Sequence, residues 1–273
     1  MTETEAPYDR FATAYREWWA PVIAPSAVGL LDRLDGQLAP DADATIVDIG
    51  TGTGTLALAA LARWPAATVV GVDPAQRLLE FATEAAREAG VADRLTVRIG
   101  DAAHLPVPDG SVDAAVSSFV IQLTPSRAAA VREAYRVLRP GGLFACLAWR
   151  ADEAPFEPQT AFELALEELD VDPADLPGDA RPYASPMVAA AELRRADFRE
   201  VRAREEWLEH RFTPQSYLDV LEHWTEDETF AALDDRMRER LRAAALRRME
   251  RLPAHEFVWR RPLVSVVGRR RTA

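Results

Sequence analysis

The residues best suited to chemistry stand in one short stretch, Val47-Asp48-Ile49-Gly50-Thr51-Gly52-Thr53-Gly54. A β-branched run enters it at Thr45, and glycines alternate out of it before an Ala/Leu-rich segment opens at Thr55. The pattern predicts a buried parallel strand, a tight turn and the start of a helix. The next apolar run, Thr68-Val69-Val70-Gly71-Val72, closes on Asp73. An acid about 20 residues beyond a glycine turn is placed to hold a ribose hydroxyl. These residues read as a site for a nucleoside-containing cofactor.

Two kinds of nucleoside binder compete for that pattern. The dinucleotide fingerprint G-x-G-x-x-G needs a third glycine for close helix–strand packing, and its helix N-terminus meets a pyrophosphate. Here Thr55 stands where that glycine should fall. Asp48, just before the turn, would repel a pyrophosphate but could orient a cationic amino group, directly or through water. The chain has no Lys, which removes a Tyr–Lys dehydrogenase pair and a Schiff base. S-adenosylmethionine, with a sulfonium, an α-amino group and no phosphate, suits Asp48 better.

Five segments in order strengthen this reading: Val47 to Gly54, Gly71-Val72-Asp73-Pro74, Gly100-Asp101-Ala102, Ser111 to Ser118, and Arg136-Val137-Leu138-Arg139-Pro140-Gly141-Gly142. Over roughly residues 44–148 the chain resembles the class I S-adenosylmethionine-dependent methyltransferases, in particular the small-molecule group similar to ubiquinone/menaquinone methyltransferases. The resemblance implies that Gly50, Thr51 and Gly52 contact the methionine part and that Asp48 orients the turn and the amino group. It implies that Asp73, with Pro74 beside it, accepts both ribose hydroxyls. Asp101 and the Ala102 N–H would meet the adenine, Ser117 and Ser118 would end the fourth strand at the ligand-binding edge, and Tyr15 would fold over the cofactor. Asp113, at the opposite edge, reads as structural.

Those residues need a scaffold. The alternation predicts strand 45–49, helix 55–63, strand 68–72, helix 75–88, strand 95–99, strand 112–118, helix 126–138 and, after a Pro140-Gly141-Gly142 turn, strand 143–149. Residues 150–192 are rich in Pro and acids, with one helical stretch at 159–169. Long strands follow at 198–210 and 257–268, separated by a helical 214–252. The alternation makes the fold class α/β, a doubly wound sheet with N-terminal helices and a helical insertion between the last two strands; the resemblance implies that it is Rossmann-like and mostly parallel with an antiparallel last strand. The expected division is a helical cap over 1–40, a cofactor-binding domain over 41–212 and 253–273, and an insertion over 213–252 that serves as a substrate lid. Residues 1–7 and the Pro40-Asp41-Ala42-Asp43 linker read as unstructured, and Arg269-Arg270-Arg271 as a frayed basic tail.

Methyl transfer from a sulfonium is an in-line displacement with a neutral leaving group, so alignment and water exclusion outweigh acid–base machinery. Gln122, four residues past Ser118, is a candidate for contact with the acceptor, although an amide is a poor base. His223 on the insertion and Tyr15 are the other catalytic candidates. Trp18, Trp19, Phe119, Trp149, Phe156 and Trp224 suggest an apolar or aromatic acceptor, walled by the N-terminal helix, residues 150–190 and the insertion. Oxygen, carbon and nitrogen acceptors are all open.

The 273 residues suffice for one large domain, and a net charge of -12 argues against nucleic acid or anionic membrane partners. Cys146, alone in an apolar run, reads as an inert buried thiol, and the four His residues show no metal-ligand pairing. No metal is expected. The N-terminus lacks signal-peptide features, which leaves the cytoplasm as the expected compartment. A small-molecule acceptor is the expected partner, and a homodimer is compatible with the insertion. The Arg/Glu series from Arg236 to Arg251 reads as a solvated face with i,i+4 pairs. Three alternatives stay open: a cofactor-binding member that acts as a scaffold or cyclisation catalyst without methylating, an NAD(P)-dependent oxidoreductase, and a methyltransferase acting on a protein.

Overall fold

The computed structural model describes residues 7–39, 41, 43–174 and 180–272. Residues 1–6, and Pro40 and Ala42 of the expected linker, lie outside the described residues. Strands β1 (Thr45–Ile49), β2 (Thr68–Asp73), β3 (Leu95–Ile99), β4 (Val112–Ser118), β5 (Leu138–Trp149), β6 (Arg199–Arg211) and β7 (Val258–Arg269) form one sheet in the order β3-β2-β1-β4-β5-β7-β6. The pairs from β3 to β5 are parallel, and β7 runs antiparallel to both β5 and β6.

The core strands are apolar on both sides, because helices cover both faces. Ile46 and Ala114 pack beneath α2 (Ala20–Gly29) and α3 (Thr55–Arg63). Val47, Ile49 and Ala115 pack beneath α5 (Arg127–Val137) and α7 (Pro186–Arg195). Each fully buried aliphatic side chain contributes about 1.5–3 kcal/mol. The N-terminal α1 (Pro7–Ala14) lies on α4 (Gln76–Glu88), where Ala12 meets Leu78, and Asp9 accepts the Arg77 N–H at 2.7 Å. That bond satisfies one of the free donors at the start of α4.

A third apolar cluster joins α6 (Glu157–Leu169) to the helices between β6 and β7: α8 (Pro214–Val220), α9 (Asp227–Ala231) and α10 (Asp235–Met249). Phe162, Leu218, Leu221, Phe230 and Leu241 are its centre. Thus α6 packs with the insertion. Ion pairs reinforce the assembly: Arg242 of α10 meets Asp219 and Glu222, and Arg248 meets Glu168 of α6. The expected i,i+4 pairing within the Arg/Glu series is therefore corrected, since these arginines reach acids on other elements.

Three further expectations are corrected. Strand β5 begins at Leu138, directly after α5, and Pro140-Gly141-Gly142 lies inside it at a register shift between Val112 and Ala114. Helix α7 was hidden in the polar stretch before β6; Ser185 caps it by accepting the Val188 N–H, and Pro186 opens it. The basic tail is anchored. Arg270 donates to the carbonyls of Tyr135, Arg136 and Leu138, closing the end of α5, and Arg269 donates to Gly141.

Candidate functional site

The turn after β1 is shaped by backbone angles that side chains resist. Gly50 and Gly52 have φ of +74° and +53°. A Cβ on Gly50 would also overlap Val120 in the loop after β4. The Gly50 and Thr51 N–H groups donate to the Val72 carbonyl at 2.7 and 3.0 Å, which ties the turn to β2. At the end of β2, Asp73 accepts the Gly52 N–H on Oδ2 and the Ala75 N–H on Oδ1, both at 2.9 Å. Burial pushes its carboxyl above the usual range, and those two backbone donors oppose the shift.

This turn forms one wall of a cavity of about 360 Å³. Small-molecule sites span roughly 300–1,000 Å³. Gly100, Asp101 and Ala102 close one end, after β3. Asp73 and Pro74 follow, then Gly50 to Thr53. The far end is aromatic, with Trp19, Phe119 and Trp149 beside Ser118 and Gln122. Tyr15 and Trp19 reach the cavity from a π-helical turn spanning Tyr15–Trp19, between α1 and α2. A Cβ on Gly52 would lie 3.7 Å from the Tyr15 ring and 3.8 Å from its hydroxyl. The Tyr15 phenol therefore lies over the turn within ordinary contact distance, and it is the positive φ of Gly52 that favours a glycine there.

Several expected residues lie elsewhere. Asp48 does not line the cavity; it is 1% exposed behind the turn and accepts the Thr51 hydroxyl at 2.8 Å. Burial raises its carboxyl to about 7. Its place is to hold the turn, and a direct contact with a ligand's amino group is corrected. Ser117 is also turned inward, donating to the Ile49 carbonyl at 2.9 Å, because alternation along β4 sends only Ser118 to the cavity. His223 is exposed, with its ring 4.8 Å from Trp18, and neither lines the cavity. Trp224 stacks on Trp19 at 6.3 Å and meets Tyr15 at 5.5 Å, behind the wall they form. Phe156 packs in the α6–insertion cluster. The expected walls from 150–190 and 214–252 are corrected accordingly: among the described residues, α2, the turn after β4 and Trp149 enclose the aromatic end.

Sequence reasoning missed the face of α2, where Ile23, Ala24 and Ala27 line the cavity, and Val120, which fills the space Gly50 leaves. Small residues spaced along an N-terminal helix were the available signal for α2; nothing local marked Val120.

Asp101 lines the cavity while half exposed, accepting the Ala103 N–H at 2.7 Å and facing the His104 ring at 3.3 Å. Asp113 accepts the Thr45 N–H at 2.8 Å and pairs with Arg139, a structural role at the far edge. Cys146 is buried and its thiol is pushed up to about 12, which makes it inert. Among the described residues no cluster could hold a metal, and no helix is long and apolar enough to cross a membrane.

The cavity suits a phosphate-free nucleoside that carries positive charge. Its described lining includes two carboxylates, Asp73 and Asp101, and no basic side chain. Both Asp73 oxygens retain acceptor capacity beyond their one backbone donor each, as a ribose diol requires.

The chain is similar in sequence and fold to known proteins. Residues 47–146 match the model of a methyltransferase domain family. Nocamycin O-methyltransferase from Saccharothrix syringae is 32% identical over 236 residues, covering 80% of this chain and 79% of that one. Demethylmenaquinone methyltransferase from Lactiplantibacillus plantarum is 36% identical over 119 residues, covering 44% of this chain and 50% of that enzyme. The chain thus spans about half the length of that relative and most of the former. The crystal structure of the YcgJ protein from Bacillus subtilis has the same fold, with a TM-score of 0.60 at 20% identity over 91% of this chain and 99% of that one. The glycine turn, the acid ending β2 and these relatives lead to one conclusion: the chain belongs to the S-adenosylmethionine-dependent methyltransferases.

Proposed function

We propose that this protein transfers a methyl group from S-adenosylmethionine to a small molecule whose reacting part is flat and largely apolar. The observation that carries the reading is the polarity gradient of the cavity, from Asp101 and Asp73 at one end to Trp19, Phe119 and Trp149 at the other. The cofactor, when bound, supplies an electrophilic methyl on a sulfonium. The chain's own residues supply position. Asp73 holds the ribose by its two oxygens, Asp101 and the Ala102 N–H meet the base, and the Gly50–Thr51–Gly52 turn with Tyr15 receives the amino-acid part. Asp48 acts from behind by fixing Thr51.

The aromatic end supports the choice of acceptor. The Phe119 and Trp149 rings are 4.8 Å apart at 45°, and Trp149 and Trp19 are 6.5 Å apart. Such faces contribute about 0.5–1.5 kcal/mol per ring pair beyond area burial. They also exclude water from the line of displacement. Gln122, a candidate for contact with the acceptor and a poor base, has its amide oxygen occupied by the Trp149 N–H at 2.7 Å. His223 stands outside the cavity. Proton removal is therefore assigned to neither.

The test is transfer of labelled methyl from the cofactor to matched acceptors, hydroxyarenes against saturated alcohols of the same size. Preferential labelling of the flat members supports the reading. Tight binding of a nicotinamide dinucleotide without binding of S-adenosylhomocysteine would refute it.

A further inference from the structure

We infer that Gln122 is a positioning residue for the acceptor: its side-chain amide replaces a missing rung of the sheet and thereby sets the Phe119–Trp149 wall. The inference rests on the proposed reading of that wall as the acceptor's.

The ladder between β4 and β5 is regular up to Ser118, which pairs with Leu147. The Phe119 N–H still donates to the Leu147 carbonyl at 2.8 Å. In a parallel ladder the next bond would run from the Trp149 N–H to the Phe119 carbonyl. That bond is not made. Phe119 has φ of +60°, an uncommon conformation for a bulky residue, and its carbonyl turns away from the ladder. The Gln122 amide fills the gap. Its Oε1 accepts the Trp149 N–H at 2.7 Å, and its Nε2 donates to the Phe119 carbonyl at 3.2 Å. One planar amide thus satisfies both groups that the broken rung leaves.

The consequence is geometric. The two strand ends are held an amide's width apart, and Phe119 and Trp149, both lining the cavity, face each other across that space. A second tie fixes Gln122 itself, because its backbone carbonyl accepts the Arg181 N–H at 2.8 Å, while the Tyr183 N–H donates to the Trp149 carbonyl at 2.9 Å. Gln122 is 2% exposed, so water does not compete for the bridge. The hydrogen bonds of Asp73 and the glycine turn run to each other, to the Ala75 N–H and to the Val72 carbonyl, and none of these goes to Gln122. A change at Gln122 accordingly acts on one end of the cavity.

The variants are Gln122→Met, which keeps the shape and cannot bridge, and Gln122→Glu. A protonated Glu accepts from Trp149 and donates to Phe119; an ionised one sets an acceptor against the Phe119 carbonyl. The probes are S-adenosylhomocysteine by calorimetry and, in its saturating presence, 2-naphthol by tryptophan fluorescence. Exchange of the Trp149 amide hydrogen is followed in parallel. In Gln122→Met the homocysteine affinity stays within about twofold, 2-naphthol weakens by about tenfold or more, and the Trp149 amide exchanges faster. In Gln122→Glu, 2-naphthol binds near pH ~5 and is lost near pH ~8, with homocysteine binding unchanged. Unaltered naphthol binding in Gln122→Met, or equal weakening of both ligands, overturns the inference. If the unmodified protein does not take 2-naphthol, the flat-acceptor reading fails instead. The role of Gln122 then stands or falls on the Trp149 exchange rate, and an unchanged rate sinks it. Should Gln122→Met not fold, the pH pair of Gln122→Glu decides.

Discussion

Replacing Asp73 by Ala tests the centre of the site. The carboxylate has two duties that different measurements can separate. It accepts two buried backbone donors, the N–H groups of Gly52 and Ala75. Leaving each donor unpaired costs about 1–3 kcal/mol of stability. It also offers its remaining acceptor capacity to the ligand, where a hydrogen bond to a charged group is worth about 1.5–3 kcal/mol. At about 1.4 kcal/mol per decade, losing one such bond weakens S-adenosylhomocysteine binding by about 10- to 140-fold. Urea unfolding reports the first duty, and calorimetry well below the unfolding midpoint reports the second. Asp73→Asn is the intermediate case: its single carbonyl can keep one backbone donor, while its NH2 confronts the other. A folded Asp73→Ala protein that binds S-adenosylhomocysteine as tightly as the unmodified chain would refute the ribose assignment. Loss of stability alone would leave Asp73 as a brace for the turn.

Five other changes have defined outcomes. Gly50→Ala forces a Cβ into Val120 at a positive φ and should abolish ligand binding in calorimetry, whereas Gly90→Ala, also at positive φ but with no neighbour, should cost only about 1 kcal/mol in urea titration. Asp48 carries a folded-state carboxyl raised to about 7 from 3.8, so its contribution to stability is complete below the lower value and is lost as pH rises through the higher. The difference between the unmodified chain and Asp48→Asn, followed by unfolding across that window, should therefore shift in favour of the variant as pH rises; a flat difference would contradict the burial argument. Arg270→Ala frees three carbonyls around the end of α5 and should lower stability by about 1.5–3 kcal/mol without altering S-adenosylhomocysteine affinity. Shortening the 214–252 segment should weaken 2-naphthol more than S-adenosylhomocysteine, since Trp224 backs Trp19 at the aromatic end; equal losses would make the segment a plain part of the fold.

The cofactor half of the site was legible because backbone geometry dictated it. Three glycines at alternate positions have positive φ, and few other residues tolerate that; the sequence therefore had to display them. Asp73 was readable for a similar reason, since it ends the strand beside that turn. Strands β1 and β2 followed from β-branched, largely buried runs, the pattern of a sheet covered on both faces. Legibility failed where long-range packing decided the outcome. Ser117 and Ser118 are identical in sequence, and only the register of β4 sends the second to the cavity. Trp18 and Trp19 are adjacent in sequence, and only the second of them lines the cavity, from the π-helical turn. Asp48 is buried outside the cavity lining with the Thr51 hydroxyl as its partner, a choice that spacing alone does not reveal.

The contrast between the two halves follows from the chemistry. A nucleoside carries a diol and a planar base at fixed separations, so its site must present acceptors at matching places; Asp73 and Asp101, beside the ends of neighbouring strands, are the residues to which the proposed function gives that task. The acceptor brings its own nucleophile to an electrophile that is already activated, so the enzyme's remaining task is to hold a surface in line with the methyl. Surfaces can be built from any large side chain whose backbone is correctly placed. The informative residues at that end are then the ones that place the backbone. Phe119 with its positive φ and Gln122 with its bridging amide do this, and their hydrogen bonds go to the chain itself. Specificity at the acceptor end is therefore to be sought in the residues that set the spacing of its rings as much as in the rings.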